Sequence, residues 1–366
     1  MLLYFLDSIT NMLSTRVKTV HNFRLKHRLA LILMCNLLGL TGCDRQQDIQ
    51  FSGAAQGTTY TLKLAAVDSH FTKASLQAEV DKILADIDSK MSNYRDDSEI
   101  SHINQQHTTE WITISPEITE LLTISKTVFQ KSKGCFDLTV KPIFDLWGFS
   151  KHENRVPTPD EIQATLKHVG MQALEIDAPN NKIRKRDPLL AIDLSAIAQG
   201  YSVQALAKYM EQQGINNYLI EIGGEMKAKG IKSNQQPWKV AIQKPIPNSS
   251  NIHRILEIKE QQGTAIMTAG TYRNFFEDHG QAYSHILDPR TGRPVTHQLL
   301  SVTVLHDDPT WADAWDTALL CMGETEAEQL AEAEQLKVLL IYQQDKELKE
   351  YVNTAFNQAA IPLTQE

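Results

Sequence analysis

Two aspartates and a threonine in the last sixth of the chain offer the ligands of a divalent cation. Asp313, Asp316 and Thr317 are spaced i, i+3 and i+4, so their side chains lie on one face if the segment is helical. Carboxylate and hydroxyl oxygens, with positions left for water or phosphate oxygens, suit Mg²⁺. The same spacing is common on solvated helix faces, so the neighbouring residues must decide between the two interpretations.

The neighbours of these three residues are mostly apolar, which favours a metal site. They are Trp311, Ala314, Trp315, Ala318, Leu319 and Leu320. A buried carboxylate needs a partner, and no lysine or arginine occurs between Arg293 and Lys337. We therefore predict that a cation binds this helix.

Two further segments contain glycine turns, and one of them could receive a phosphate. The sequence DLSAIAQGY at 193–201 is predicted to run from a buried strand at 189–194 into a helix, whose first N–H groups suit an anion. The structural alternative is that Ser195 caps the helix and Gly200 permits close packing. The sequence IGGE at 222–225 is predicted to be a strand entering a glycine turn. No GxGxxG follows a predicted strand, so a Rossmann site is not supported.

A histidine lies beside a proline turn in the sequence SHILDPRTG at 284–292. His285 has the side chain best suited to accept a proton near neutral pH. A lone histidine is more often a structural residue than a base, and Asp288-Pro289 is ordinary turn chemistry. These residues taken alone leave the role of His285 open.

The elements that must position these residues alternate irregularly between strands and helices. Strands are predicted at 58–64, 111–114, 189–194, 218–222, 238–243, 255–258, 263–267 and 299–305. Apolar stripes predict helices around 76–87 and 203–210, and Ser115-Pro116-Glu117 begins another. This order indicates an α+β fold with a largely antiparallel sheet, in one domain over 51–366 with a peripheral tail after Thr354.

The N-terminus has the pattern of a secretory leader. Basic residues precede an apolar run at 29–38 that is too short to cross a bilayer, and Leu-Thr-Gly-Cys follows at 40–43. This ending resembles a bacterial lipobox, which implies cleavage before Cys43, diacylation of its thiol and a linker at 44–50. Asp44 resembles a signal for retention at the inner membrane, on its periplasmic face. An uncleaved anchor is the alternative.

Composition and charge place the rest of the chain among ordinary globular proteins. The chain is 42% hydrophobic and 22% charged. Loss of residues 1–43 removes five basic residues and one acidic residue and leaves a net charge of −12, which disfavours nucleic acid as a partner. Two cysteines remain, Cys135 and Cys321, and we expect two free thiols rather than one long-range bridge.

Taken together and in order, these motifs resemble the ApbE family of FAD:protein FMN transferases. The resemblance covers most of residues 51–345. Its matching segments are GTTY at 57–60, MSNY at 91–94, SEIS at 98–101, GCFD at 134–137, 193–201, 222–225, TAGTYRN at 268–274, 284–292 and 312–318.

The resemblance implies ligands for both FAD and Mg²⁺. FAD is expected to contact Gln56, Tyr94, Cys135, Phe136, Asp137, Asp193, Gln199 and Leu287. Mg²⁺ is expected to bind the carbonyl of Ala196 with Asp313, Asp316 and Thr317. His285 matches the histidine that takes the proton of the acceptor hydroxyl, and its ordinary pKa near 6.5 suits that role.

The implied reaction is Mg²⁺-dependent transfer of FMN from FAD to a threonine or serine hydroxyl of another protein, with release of AMP. The resemblance points to acceptors in membrane redox complexes of the Na⁺-translocating quinone reductase or Rnf type. Two alternatives stay open: an FAD pyrophosphatase that uses water as acceptor, and a non-enzymatic flavin-binding lipoprotein.

The leader generates a first prediction. Cys43→Ser should release the protein from membranes, because the anchoring lipid is attached to that thiol, and should leave the activity of the soluble domain unchanged. Membrane fractionation of cells that express the two forms measures this. Retention of Cys43→Ser in the membrane would contradict the lipobox interpretation.

Overall fold

A central sheet of eight strands organises the structure, a computed structural model that describes residues 46–150, 153–247, 249–259 and 262–363. The predicted leader and Cys43 lie outside the described residues. Residues 47–366 form one compact unit by their internal contacts. Among the described residues, no helix is both long enough and apolar enough to span a bilayer.

The strands and helices are as follows. The strands are β1 (Gln46–Ala55), β2 (Thr58–Asp68), β3 (Trp111–Thr113), β4 (Leu174–Asp177), β5 (Lys182–Lys185), β6 (Tyr218–Ile222), β7 (Glu225–Lys229), β8 (Lys239–Gln243), β9 (Ile252–Ile258), β10 (Thr264–Gly270), β11 (Phe275–Asp278), β12 (Gln281–Ser284), β13 (Leu287–Asp288), β14 (Arg293–Pro294), β15 (Leu299–His306), β16 (Lys337–Gln344), β17 (Glu347–Val352) and β18 (Ala360–Leu363). The helices are α1 (Lys73–Met91), α2 (Glu99–Gln105), α3 (Pro116–Lys131), α4 (Lys141–Leu146), α5 (Pro159–Leu166), α6 (Ala198–Gln212), α7 (Pro309–Met322), α8 (Glu324–Ala333) and α9 (Thr354–Ala359).

The central sheet has the order β1-β2-β6-β7-β10-β15-β16-β17. Every neighbouring pair from β2 to β17 is antiparallel. Two three-stranded sheets, β18-β9-β8 and β3-β5-β4, and the hairpins β11-β12 and β13-β14 complete the strand pairing. The predicted α+β fold with a largely antiparallel sheet is confirmed.

Both faces of the central sheet are covered by apolar side chains. In β10, Ala265 and Met267 pack into the larger core, which includes buried residues of α1, α3, α6 and α7. Ile266 between them points the other way, into a smaller core shared with Leu256 of β9 and Phe356 of α9. Because β10 is buried on both faces, it holds the residues at its end in fixed positions.

Local sequence signals set the starts of the helices. Thr72 and Ser75 form a capping box at α1, and Ser115 caps α3 ahead of Pro116. At α7 the Asp308 side chain accepts hydrogen bonds from the N–H groups at the first turn, with Pro309 inside it. The helix that carries the predicted metal ligands therefore begins at a defined position.

Two predictions about the ends of the domain were wrong. β1 begins at Gln46, so most of the expected linker at 44–50 belongs to the sheet. The tail after Thr354 is not peripheral, because Phe356 is fully buried and β18 pairs with β9. Ile49 and Phe51 of β1 and Phe356 of α9 reach the core, so both ends belong to the folded domain.

The strand predicted at 189–194 is absent, although most of its side chains are buried. Asn104 takes the place of a neighbouring strand: its Oδ1 accepts from the N–H of Ile192 at 2.7 Å and its Nδ2 donates to the carbonyl of Ile192 at 2.8 Å. The N–H of Asp193 donates to the carbonyl of Leu138 at 2.7 Å. A side chain and a loop therefore satisfy the backbone that a ladder would otherwise pair.

The expectation of two free thiols was also wrong, because Cys135 and Cys321 form a disulfide. Cys321 lies near the end of α7, and Cys135 precedes Phe136 and Asp137 in the turn after α3. Their separation of 186 residues hid the pairing from the sequence, since only the fold brings the two segments together. The bridge joins the predicted flavin-contacting turn to the predicted metal helix.

The bridge leads to a prediction about stability. Replacing both cysteines with serine should lower the free energy of unfolding by about 2–4 kcal/mol, because the bridge restricts the unfolded chain over a long loop. Urea unfolding of both forms, with and without a thiol reductant, measures the difference. The reductant should shift the wild type towards the double variant and leave the variant unchanged; equal midpoints in all conditions would exclude the bridge.

Candidate active site

The contact between α6 and α7 places the first predicted metal ligand. Asp313 Oδ2 accepts a hydrogen bond of 2.6 Å from the N–H of Gly200, in the first turn of α6. A Cβ atom at Gly200 would lie 2.5 Å from the carbonyl oxygen of Pro309 and 2.6 Å from the Cβ of Asp313. Only glycine permits this approach, so the predicted packing role of Gly200 is confirmed. Ser195 is not the cap, since Ile197 occupies that position.

One turn further along α7, Asp316 is a carboxylate with no protein partner. It is 1% exposed, and neither of its side-chain oxygens has a hydrogen-bond partner among the described residues. Burial, together with the nearby negative charges of Glu225 and Asp313, raises the pKa of Asp316 well above its ordinary value. An unpaired buried carboxylate is costly, and a bound cation would remove that cost.

Glu225 is a third buried acid in the same place, and the sequence did not identify it as a ligand. It lies at the start of β7, 5% exposed, and its Oε2 accepts a hydrogen bond of 3.0 Å from the N–H of Thr268. Burial and the charge of Asp313 raise the pKa of Glu225 to about 8, and burial raises the pKa of Asp313 to about 7. The glycine turn at 222–225 was the only signal in the sequence that pointed here.

These oxygens fit Mg²⁺. Asp313, Asp316 and Thr317 offer hard oxygen donors from one face of α7, and Ala196 and Glu225 line the same cavity. The orphaned oxygens of Asp316 are the observation that favours a cation most directly. No nitrogen or sulfur ligand is required, which distinguishes the site from a typical zinc site.

Two other aspartates on the predicted list order the loops around the cavity. Asp193 Oδ1 accepts from Asn93 Nδ2 at 2.8 Å and from the N–H of Ser195 at 2.9 Å. Asp137 accepts from the N–H of Thr139 at 2.8 Å and from the N–H of Met171 at 3.0 Å. Part of the role of these carboxylates is therefore structural, and Asn93, from the matching segment at 91–94, is a site neighbour that was not among the predicted ligands.

His285 is held in one tautomer. Its Nδ1 lies 2.7 Å from the carbonyl oxygen of Asn274, which can only accept, so Nδ1 carries the hydrogen and Nε2 keeps its lone pair. Burial lowers the pKa of His285 to about 4, and the nearby charge of Arg273 acts in the same direction. This lowered pKa differs from the ordinary value that the sequence suggested, because the imidazole lines the cavity and is only partly exposed to water; it is neutral at pH 7.

The predicted residues converge on one cavity of about 290 Å³. Among the residues that line it are Tyr94, Cys135, Phe136, Asp137, Asp193, Ala196, Gln199, His285, Leu287, Asp313, Asp316 and Thr317. Gln56 instead lines an adjoining cleft that shares Tyr94, Ser195 and Gln199 with the cavity, and its Nε2 donates to Ser202 Oγ at 2.6 Å. Apart from Gln56, every predicted FAD and metal residue borders the main cavity.

Fold and site together define an α+β protein with a cavity that brings together buried carboxylates and a histidine beside an adjoining cleft. The sequence profile of the ApbE family matches residues 56–340. The chain belongs to the ApbE family.

Curated relatives and solved structures agree with this assignment. The FAD:protein FMN transferase of Vibrio cholerae is 39% identical over 332 residues, which cover 89% of this chain and 97% of that protein. The FAD:protein FMN transferase of Salmonella typhimurium is 33% identical over 329 residues, which cover 87% of this chain and 93% of that protein. These relatives confirm the predicted enzyme class, a transferase.

The fold is shared with solved flavin transferases. The flavin transferase ApbE from Vibrio cholerae superposes with a TM-score of 0.78 at 36% identity, covering 86% of this chain and all of that one. The apo form of the Pseudomonas stutzeri flavinyl transferase ApbE gives a TM-score of 0.77 at 32% identity, covering 86% of this chain and 97% of that one.

The buried acids predict how stability responds to pH. Without metal, the contribution of Asp313 and Glu225 to the free energy of unfolding should fall as the pH rises from about 4 to about 8. Over that range folded Asp313 and Glu225, with pKa values of about 7 and about 8, hold protons that the unfolded chain has released. Mg²⁺ should oppose the fall, because it binds the deprotonated oxygens. Thermal unfolding across this range in EDTA and in Mg²⁺ measures both effects.

The control for this pH dependence is the double variant Asp313→Asn/Glu225→Gln. It lacks both titrating groups, so its melting temperature in EDTA should depend less on pH than that of the wild type. A fall of the same steepness in the variant would assign the effect to other groups.

Proposed function

We propose that this protein transfers FMN from FAD to a threonine or serine hydroxyl of an acceptor protein, with Mg²⁺ bound and AMP released. The proposal rests mainly on one observation: a single cavity contains buried carboxylates, whose charge favours a bound cation, and a neutral histidine whose ring orientation is fixed by a hydrogen bond. The names of the relatives, FAD:protein FMN transferase, support the same reaction.

The carboxylates account for the metal requirement. Asp313, Asp316 and Thr317 would hold Mg²⁺ together with the carbonyl of Ala196, and Glu225 adds negative charge beside them. When bound, the ion supplies positive charge to the FAD pyrophosphate and to the phosphate that leaves. Gly200 fixes Asp313 through its N–H, so α6 and α7 hold this ligand in place before metal arrives.

His285 accounts for the proton. The Nε2 lone pair accepts the proton of the acceptor hydroxyl while that oxygen forms a bond to the FMN phosphorus, and the bond from this phosphorus to the bridging oxygen breaks. The electron pair of the broken bond leaves on AMP. The carbonyl of Asn274 holds the ring, and it stabilises the imidazolium that forms because Nδ1–H donates to it.

The aromatic residues divide into one exposed and one buried side chain. Tyr94 is 71% exposed where the cavity and the adjoining cleft meet, so its ring is available to stack on isoalloxazine or adenine. Phe136 is 1% exposed and packs in the main core, so its contribution to the cavity is mainly to shape the wall.

The acceptor and the location belong to the same proposal. A periplasmic, lipid-anchored enzyme at the inner membrane would meet the redox complexes of the Na⁺-translocating quinone reductase or Rnf type. The lipid anchor rests on the sequence at 40–43 alone. The neutral His285 and the acidic cluster favour an enzyme over simple flavin storage, which needs neither a base nor a metal.

The deciding experiment is incubation with FAD, Mg²⁺ and a candidate acceptor domain, followed by intact mass measurement of the acceptor. We expect the mass to rise by one FMN, and excess chelator should abolish the rise. AMP release without acceptor at the rate seen with it would instead indicate an FAD pyrophosphatase.

His285 and Asp313 should fail in different ways. His285→Ala should lower the single-turnover rate of FMN transfer by about 10²- to 10⁴-fold with little change in FAD affinity, because only the base is lost. Asp313→Ala should lower both the transfer rate and the FAD affinity, because the metal loses a charged ligand. Single-turnover transfer assays measure the rate, and FAD fluorescence titration measures the affinity. Loss of FAD binding in His285→Ala would exclude the base assignment.

A further inference from the structure

One cationic side chain lines the cavity among the residues that the structure describes. Arg273 shares the lining with five acids, Asp137, Asp193, Glu225, Asp313 and Asp316. His285 is the other basic residue there, and it is neutral at pH 7. A ligand with a pyrophosphate therefore meets a single permanent positive charge of the protein itself.

The glycine turn at 222–225 is built around this arginine. The Nη1 of Arg273 donates to the carbonyl oxygen of Gly223 at 3.3 Å and lies 4.0 Å from Oε1 of Glu225. A Cβ atom at Gly224 would lie 3.1 Å from Nη2 and 3.2 Å from Nη1, and the φ angle of +101° there also favours glycine. Gly223 thus supplies a hydrogen-bond acceptor, Gly224 leaves space for the guanidinium, and Glu225 supplies a negative charge.

This arrangement leaves the guanidinium available to a ligand. Hydrogen bonds to the Gly223 carbonyl and the Tyr272 side chain use only part of the five N–H donors, and the contact with Glu225 is too long for a hydrogen bond. The side chain is 34% exposed, facing the cavity that holds His285. An arginine with a purely structural role would be expected to form a close, bidentate salt bridge with its carboxylate partner.

We propose that Arg273 is a catalytic residue, whose guanidinium binds the FAD pyrophosphate and neutralises the charge that develops on the departing AMP. The inference rests on the proposed function and adds a residue to it. Glu225, Gly223 and Gly224 are positioning residues. They contact one edge of the guanidinium, so that its remaining N–H donors face the cavity. The planar guanidinium of arginine, which can donate two parallel hydrogen bonds, suits phosphate oxygens better than the ammonium of lysine does.

The test compares FAD with riboflavin, which has the same isoalloxazine ring and no phosphate. In EDTA, where Mg²⁺ is absent, Arg273→Ala should bind FAD about 10- to 100-fold more weakly than the wild type, since a charge-assisted hydrogen bond is lost. Riboflavin affinity should stay within about twofold. Arg186→Ala is the matched control, because it removes one exposed arginine next to β5, away from the cavity, and should change neither affinity.

Chemical rescue and a conservative variant complete the test. With Mg²⁺ and acceptor present, guanidinium ion at low concentration should restore part of the FMN transfer rate of Arg273→Ala, and NaCl of equal ionic strength should not. Arg273→Lys keeps the positive charge and the fold but not the planar guanidinium. Its FAD affinity should therefore fall less than that of Arg273→Ala, and its riboflavin affinity should not change. Should Arg273→Ala fail to fold, the lysine variant carries the comparison.

Two outcomes would overturn the proposal. Equal losses of FAD and riboflavin affinity would make Arg273 a structural residue, and wild-type FAD affinity in both variants would remove it from phosphate binding. A wild type that binds FAD but transfers no FMN would overturn the proposed function instead, and the comparison of FAD with riboflavin would still decide the role of Arg273.

Discussion

The burial of three carboxylates around one cavity is the constraint on which the rest of the structure depends. Asp313, Asp316 and Glu225 come from a helix and a strand that are far apart in sequence, and the side-chain oxygens of Asp316 have no hydrogen-bond partner in the described part of the chain. Such an arrangement is unfavourable unless a cation completes it.

Close backbone approach is what makes this cluster possible. Gly200 lets α6 contact α7, and the same residue donates its N–H to Asp313. The Gly223-Gly224 turn similarly makes room for the guanidinium of Arg273 beside Glu225. In the sequence, the segment at 193–201 was a candidate phosphate turn and that at 222–225 a strand entering a glycine turn; in the structure each positions a charged side chain at the cavity.

The opposite wall of the cavity is fixed by polar contacts and one covalent bond. Asp137 and Asp193 satisfy loop N–H groups, and the disulfide between Cys135 and Cys321 ties the loop of Phe136 to α7. The site is therefore assembled from segments that are rigid for different reasons: helix packing, side-chain hydrogen bonds and a bridge. Such rigidity suits a reaction in which positioning and electrostatics contribute most of the rate.

The sequence by itself determined the fold class, part of the strands and helices, and about half of the residues that line the cavity. Periodicity and caps are local signals, and the order of the motifs around Asp313 and His285 was specific enough to identify the family. Tertiary structure alone decided what depends on distant contacts. Only the fold shows that Cys135 meets Cys321, that Asn104 replaces a strand at 189–194, and that Glu225 and Arg273 join the site. It also lowers the pKa of His285, because burial is a property of packing, and no spacing along the chain encodes it.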